Sequence, residues 1–271
     1  MPGRGNRPPL TREVQVSKKL SWLLRHGAEK EGLLLQPGGF LNVRDVLQNR
    51  NIKSFKVTLD ELRTIVEEND KKRFTLMPVA AAEVGGEAQS EALKLAPDKP
   101  QEWLIRANQG HSIEVEDEGL LHPITAENVP EIAVHGTTHA AWLLIVATGG
   151  LKPMTRNHVH FAKGLPAGFK SVIEKDVNAA DAAEAAPVIS GMRKSSTVLM
   201  FLDVAKAMDG GLKLAISDNG VILTEGNADG LVPLELFKRV EDRRGEGVLL
   251  EDGKVVKEAP ASWAGKSKGK G

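Results

Sequence analysis

Three side chains with chemical reach stand two residues apart in the stretch Arg156-Asn157-His158-Val159-His160. In a β-strand that spacing aims Arg156, His158 and His160 at one face. A guanidinium beside two imidazoles suits phosphate oxygens and sugar hydroxyls. The pattern also suits a His-x-His metal pair or a polar face open to solvent, and the residues alone leave these readings level. Upstream, His135-Gly136-Thr137 sets a glycine where the backbone could approach a bound group closely. A second candidate is Arg25-His26-Gly27. It falls at the end of a helical pattern, where a cation also suits the helix dipole, so a plain structural reading of Arg25 is respectable.

The elements that must position these residues are readable in outline. Ser17 is the expected N-cap of a first helix with Leu20, Leu23 and Leu24 on its apolar face, and Gly27 its left-handed cap. Gly38-Gly39-Phe40-Leu41 predicts a turn into a second helix over Val43 to Leu47. Thr58-Leu59-Asp60-Glu61 has capping-box form and starts a third, with Leu59, Leu62, Ile65 and Val66 inward. Arg73-Phe74-Thr75-Leu76 then alternates as a strand. Short helices followed by a strand suggest a winged-helix-like lobe. From Trp103 strands dominate: Leu104 to Ala107, the continuous apolar run Val198 to Leu202, and a hairpin around Ser217-Asp218-Asn219-Gly220. Ala140 to Ala147 predicts a helix closed by Gly149-Gly150.

Composition bounds the function class. The 271 residues are 41% apolar, enough for real cores and too many for a disordered chain. With no cysteine there is no disulfide, thiolate metal site or cysteine nucleophile. No run approaches the ~18 apolar residues of a membrane helix, and the first residues lack a secretory h-region. The expectation is a soluble cytoplasmic or nuclear protein without a membrane partner. Net charge is zero, yet Arg4, Arg7, Arg12, Lys18, Lys19 and Arg25 face only Glu13 near the start, and Lys266, Lys268 and Lys270 mark the end. Basic arms on a neutral body suit a polyanion, although such tails are as often merely solvated.

Six blocks, in order, resemble one family. They are Leu20-Ser21 with Leu24-Arg25-His26-Gly27; Asn69-Asp70-Lys71-Lys72-Arg73-Phe74; Ile105-Arg106-Ala107-Asn108-Gln109-Gly110-His111-Ser112; His135-Gly136-Thr137 with Arg156-Asn157-His158-Val159-His160; Gly191-Met192-Arg193; and Asn219-Gly220-Val221-Ile222-Leu223-Thr224. Together they are similar to the NAD-dependent RNA 2′-phosphotransferases. The resemblance implies an α+β fold, with an N-terminal winged-helix-like lobe followed by an ADP-ribosyltransferase-like mixed β lobe. It also implies a two-step reaction. An internal RNA 2′-phosphate, such as a tRNA splice junction carries, attacks the nicotinamide ribose of NAD and expels nicotinamide. The adjacent ribose hydroxyl then attacks that phosphate, leaving 2′-hydroxyl RNA and ADP-ribose 1″,2″-cyclic phosphate.

The family's catalytic tetrad falls on Arg25, His26, Arg73 and Arg156. The three arginines would clamp the phosphate, and His26 would act at the ribose hydroxyl. NAD contacts fall on His135, Gly136, Thr137, Gly191 and Arg193, with His158 and His160 at the nicotinamide end. RNA contacts fall on Lys18, Arg106, Asn108 and Gln109, where strand-end hydrogen bonding is an equal reading for the last three. No metal is expected, and the partner is a 2′-phosphorylated RNA bound by a monomer. Val221-Ile222-Leu223 stands where many ADP-ribosyltransferases carry a glutamate, and Glu225 just past it receives no role.

The expected organisation is a basic arm (1–16), the first lobe (17–77), a mobile insertion (78–102), the NAD-binding lobe (103–240) and a tail (241–271) with a possible hairpin at Val248 to Val256. The insertion is longer than the family usually carries. Two other functions compete. A non-catalytic winged-helix nucleic-acid-binding module would have lost tetrad positions, and a phosphate ADP-ribosyltransferase stopping after the first step would lack His26 or Arg73. All four tetrad positions are present. A zinc hydrolase on His158 and His160 lacks a third ligand at metal-site spacing.

Overall fold

The computed structural model describes residues 9–84, 86–95, 97–116, 119–173, 188 and 192–264. The basic residues at 1–8 and 265–271, Gly191, and the alanine- and acid-rich stretch 178–187 lie outside the described residues. The chain divides into two compact units, Met1–Leu120 and Leu121–Gly271.

In the first unit, helix α1 (Arg12–Trp22) starts upstream of Ser17, and Thr11 caps it by accepting from Val14 N. The reason lies in the apolar face. Val16 shares the stripe of Leu20, Leu23 and Leu24, all fully buried, so packing extends the helix upstream. The expected left-handed cap at Gly27 is displaced to Gly32 (φ 70°). A Cβ at Gly27 would lie 2.7 Å from the Trp22 ring, so this glycine makes room for an indole.

Strand β1 (Leu41–Asn42), helix α2 (Val43–Gln48), helix α3 (Arg50–Lys53) and helix α4 (Leu59–Glu67) follow. Thr58 caps α4 as its capping box predicts, accepting from Glu61 N at 3.2 Å. Strand β2 (Phe74–Pro78), helix α5 (Val79–Ala82), helix α6 (Gly86–Ala92) and strand β3 (Trp103–Ala107) complete the unit.

The three strands pair antiparallel in the order β1-β3-β2. Thus β3, assigned by its sequence to the second lobe, is the central strand of the first unit's sheet. The insertion is also more ordered than its composition suggested. Ala81 is fully buried, Gln89 Nε2 donates to Ala81 O at 3.0 Å, and Trp103 Nε1 donates to Pro97 O at 2.7 Å. Alanine's high helix propensity accounts for the two helices that the irregular apolar pattern hid.

The second unit contains β4 (Leu121–Pro123), β5 (Val134–Thr137), α7 (His139–Thr148), β6 (Gly150–Leu151) and β7 (Val159–Ala162). Next come β8 (Val198–Leu202), α8 (Val204–Asp209), β9 (Ala215–Ser217), β10 (Val221–Thr224), β11 (Val232–Pro233), β12 (Phe237–Asp242), β13 (Gly247–Glu251) and β14 (Lys254–Val255). Among the described residues, nine strands form one sheet in the order β14-β13-β12-β8-β5-β7-β10-β9-β4. Every pairing in it is antiparallel, where a mixed sheet was expected.

Val198, Met200 and Leu202 of β8 belong to one core, and Leu199 packs with Val134 and Ala162 in another. The strand is therefore covered on both faces, as its unbroken apolar run predicts. The segment from Glu241, expected to be a tail, completes β12 and supplies β13 and β14, with Leu249 and Leu250 fully buried. The hairpins at Gly220 and at Leu250↔Val255 form as read from the sequence. Helix α7 runs from its Thr138 cap to a left-handed Gly149. Among the described residues no helix is long and apolar enough to cross a membrane.

Candidate functional site

In the first unit the chemistry-bearing residues gather around one short loop, 108–112. After Trp22, α1 widens into a π-helical turn, Leu23–Gly27, that carries Arg25 and His26 half-buried beneath the helix end. Such wide turns displace side chains from regular helical positions, often at functional sites. The loop grips this turn at two points. Ser112 N donates to Arg25 O at 3.0 Å, and Ser112 Oγ shares a 2.8 Å hydrogen bond with His26 Nδ1. Gly110 (φ 88°) passes the Arg25 guanidinium, its Cβ position 3.6 Å from Arg25 Cζ, in a conformation that favours glycine.

The other end of the loop holds Arg73. Asn108 N donates to Arg73 O at 2.9 Å. The buried Asn108 amide accepts from Thr75 Oγ1 at 2.6 Å and donates to Lys72 O at 2.8 Å. Asn69 Oδ1 in turn accepts from both Arg73 N (3.2 Å) and Arg73 Nη1 (3.1 Å). Burial lowers the Arg73 guanidinium from its ordinary value, with Asp70 opposing, and an arginine so placed still carries its charge at neutral pH. Arg73 also borders a surface cavity of about 420 Å³, lined by Lys18, Ser21, Lys71, Glu68 and Asp70 among others.

Two residues read as RNA contacts are thereby placed in the lobe's own framework. Arg106 is buried, lies over the Phe40 ring at 4.5 Å and donates to Gly38 O at 3.3 Å. Asn108 is committed to the Arg73 strut. Lys18 is exposed on α1, and Gln109 is half-buried in the loop.

In the second unit, His135, Gly136 and Thr137 form most of β5, and His160 lies on the neighbouring β7. Arg156 and His158 precede that strand, which begins only at Val159, so the two-residue spacing does not place the three on one strand face. Electrostatics nevertheless couples them. Burial first, then the Arg156 cation, and to a smaller extent His158 and His135, push His160 down to about 3, against a backbone hydrogen bond to His158 that raises it. Its Nε2 is buried without a hydrogen-bond partner among the described residues.

His135 Nδ1 donates to the His160 carbonyl at 2.9 Å, which fixes its tautomer when neutral. Burial lowers its pKa, that hydrogen bond raises it, and Arg156 lowers it further. His158 Nε2 is 3.9 Å from the exposed Glu225 carboxylate, beyond hydrogen-bond range. Burial of its inner part, then Arg193, lowers the Arg156 guanidinium, although much of Arg156 and Arg193 is open to solvent. Two cations beside two imidazoles kept neutral can bind an anion that also carries hydroxyl or amide donors.

Two supporting residues carry no expected role from the sequence: Ser112 and Asn69. Each lies inside a quoted block, and that position was the signal available. Among the described residues no group of three or more His, Asp or Glu could hold a metal ion.

Comparison with known proteins adds to this geometry. A family model described as RNA 2′-phosphotransferase, Tpt1 / KptA family, matches residues 11–226. The chain is 37% identical over 240 residues to tRNA 2′-phosphotransferase 1 of Danio rerio, covering 88% of this chain and 90% of the relative. It is 35% identical over 239 residues to the Homo sapiens protein of that name, covering 87% and 79%. It is 34% identical over 233 residues to tRNA 2′-phosphotransferase of Saccharomyces cerevisiae, covering 84% of each.

Proposed function

The chain belongs to the RNA 2′-phosphotransferase, Tpt1 / KptA family, and we propose that it removes an internal 2′-phosphate from RNA, as at a tRNA splice junction, using NAD as co-substrate. The observation that carries this reading is the single loop 108–112, tied at one end to Arg73 and at the other to Arg25 and His26. Guanidinium groups suit a phosphate that is already ionised at neutral pH and needs no base to attack.

In this reading Arg25, Arg73 and Arg156 bind the 2′-phosphate and offset the charge that gathers on it. His26 takes the proton of the neighbouring ribose hydroxyl in the second step. The Ser112 bond supports that role: with His26 Nδ1–H donating to Ser112 Oγ, the neutral imidazole carries its basic lone pair on Nε2.

NAD fits the groups of the second unit. The buried His160 Nε2, an acceptor when neutral, suits a hydroxyl or carboxamide donor, and Arg193 suits a pyrophosphate. When bound, NAD supplies the ribose carbon that receives the phosphate. His135, Thr137, His158 and the Gly136 backbone complete its contacts, with Gly191 two residues before Arg193 in sequence. Lys18, Lys71 and Gln109 are the remaining candidates for RNA in the first unit.

We read the first unit as the winged-helix-like RNA lobe, supported by α2, α4 and the β1-β3-β2 sheet, and the second as the ADP-ribosyltransferase-like lobe, supported by the paired β5 and β7. A monomer in the cytoplasm or nucleus completes the proposal. The test is loss of the 2′-phosphate from a synthetic RNA on incubation with the protein, with and without NAD. Loss only with NAD supports the reading, and loss without NAD refutes it.

A further inference from the structure

Gly136 sits inside β5, paired with Leu199 of β8, where glycine weakens a strand and normally marks a close approach. Its backbone is not in the left-handed region, so conformation does not demand glycine. What demands it is contact. A Cβ at Gly136 would lie 2.2 Å from Met192 Cγ, 2.6 Å from Met192 Sδ and 3.1 Å from Ser196 Oγ. The clash falls on the middle of the methionine side chain as well as on its thioether, so a small rotation of the tip does not relieve it.

Met192 occupies this notch while packing against the core of Val134, Ala162 and Leu199. The turn that follows it is closed by Ser196 N, which donates to Arg193 O at 2.8 Å. Its far end is held by Thr197 N, which donates to Thr137 O at 2.8 Å, and by the Arg243 side chain, whose Nη1 donates to Ser196 O at 2.8 Å. Both ends of the turn therefore register on β5, one on Gly136 and the other on Thr137, with Arg193 carried between them.

We propose that the Gly136 notch seats Met192, and that Met192 is a positioning residue that sets the Arg193 guanidinium for the pyrophosphate of the co-substrate. The assignment rests on the proposed NAD-dependent reaction. It differs from a glycine kept open for the ligand itself, because the occupant of the notch belongs to this chain. With the far end of the turn pinned, a Cβ at position 136 displaces the near end, Met192 and Arg193.

The experiment is a double-mutant cycle on the full chain, comparing wild type, Gly136→Ala, Met192→Ala and the double variant. The readouts are KM for NAD, kcat and the thermal unfolding midpoint. Contacting residues couple strongly, so Gly136→Ala should raise KM for NAD about tenfold, while the double variant should return to the smaller defect of Met192→Ala alone. Met192→Leu, which refills the notch, should stay within about threefold of wild type.

A double variant as poor as Gly136→Ala, or worse, would mean that the added methyl blocks the ligand directly, and would overturn the proposal. Lowered midpoints with KM unchanged throughout would also overturn it, leaving Met192 as packing alone. Absence of NAD-dependent turnover in the wild type would instead refute the proposed reaction, and the Arg193 role with it. In that case the seat is judged by the midpoints, where additive losses would contradict it.

Discussion

His26 Nδ1 and Ser112 Oγ lie 2.8 Å apart, and the backbone N–H of the same serine holds the Arg25 carbonyl at 3.0 Å. One residue thus orients the imidazole and anchors the turn that bears it. His26→Ala should slow the second step by ~10² or more, the usual value of a general base, and leave the first step less affected. ADP-ribosylated RNA should then accumulate, visible as a slower-migrating band that takes label from NAD. Ser112→Ala should give a milder form of the same stall. Nicotinamide release slowed as much as final product in His26→Ala, with no adduct, would remove His26 from the second step.

The loop's other end gives a stability prediction. Asn108 is buried with both ends of its amide engaged, to Thr75 and to Lys72. Asn108→Leu leaves those partners unsatisfied, a loss of about 1–3 kcal/mol for each buried group that finds no substitute. Thermal unfolding should show a clearly lowered midpoint for the first unit. An unchanged midpoint would show that Asn108 is no strut, and would restore it as an RNA contact.

Local chemistry in the sequence was the most legible part of this fold. Thr58 and Gly149 cap their helices as read, and Ser217 to Gly220 turns its hairpin, because such choices depend on neighbouring residues alone. Partner strands depend on residues far along the chain. That is why the sequence points β3 to the second lobe, although it pairs with β2, and the end of β12 from Glu241 to a tail, although it pairs with β8. The site shows the same division. The blocks marked Arg25, His26 and Arg73, but not that Asn108 and Ser112 of one loop would tie them together. Spacing also put Arg156 on a strand that begins three residues later, at Val159.

The imidazoles of the second unit predict a pH dependence. His160 is held at about 3 in the fold, against an ordinary value of 6.5. Between those values the unfolded chain takes up a proton that the folded chain refuses, so stability rises with pH across this window. A full proton of difference is worth about 1.4 kcal/mol per pH unit. His135, also lowered, adds in the same sense. Unfolding midpoints should therefore fall as pH drops from about 7 to about 4. His160→Gln should flatten that fall, and an equally steep profile in the variant would clear His160 of the effect.

The insertion should be separable from the chemistry. Ala81 is buried and Pro97 O accepts from Trp103, so the anchors lie at the two ends of the stretch. Replacing 83–95 with a short glycine-serine linker should leave turnover within about twofold, since surface loops tolerate changes in length. A collapse in rate with folding intact would make the stretch part of the RNA site.

The fate of the phosphorus tests the central claim most directly. An RNA carrying a single radiolabelled internal 2′-phosphate is incubated with the protein, NAD and EDTA, and the products are separated. The account predicts that the label leaves the RNA only when NAD is present and appears in ADP-ribose cyclic phosphate, with the chelator making no difference. Label released as inorganic phosphate, or released without NAD, would contradict it.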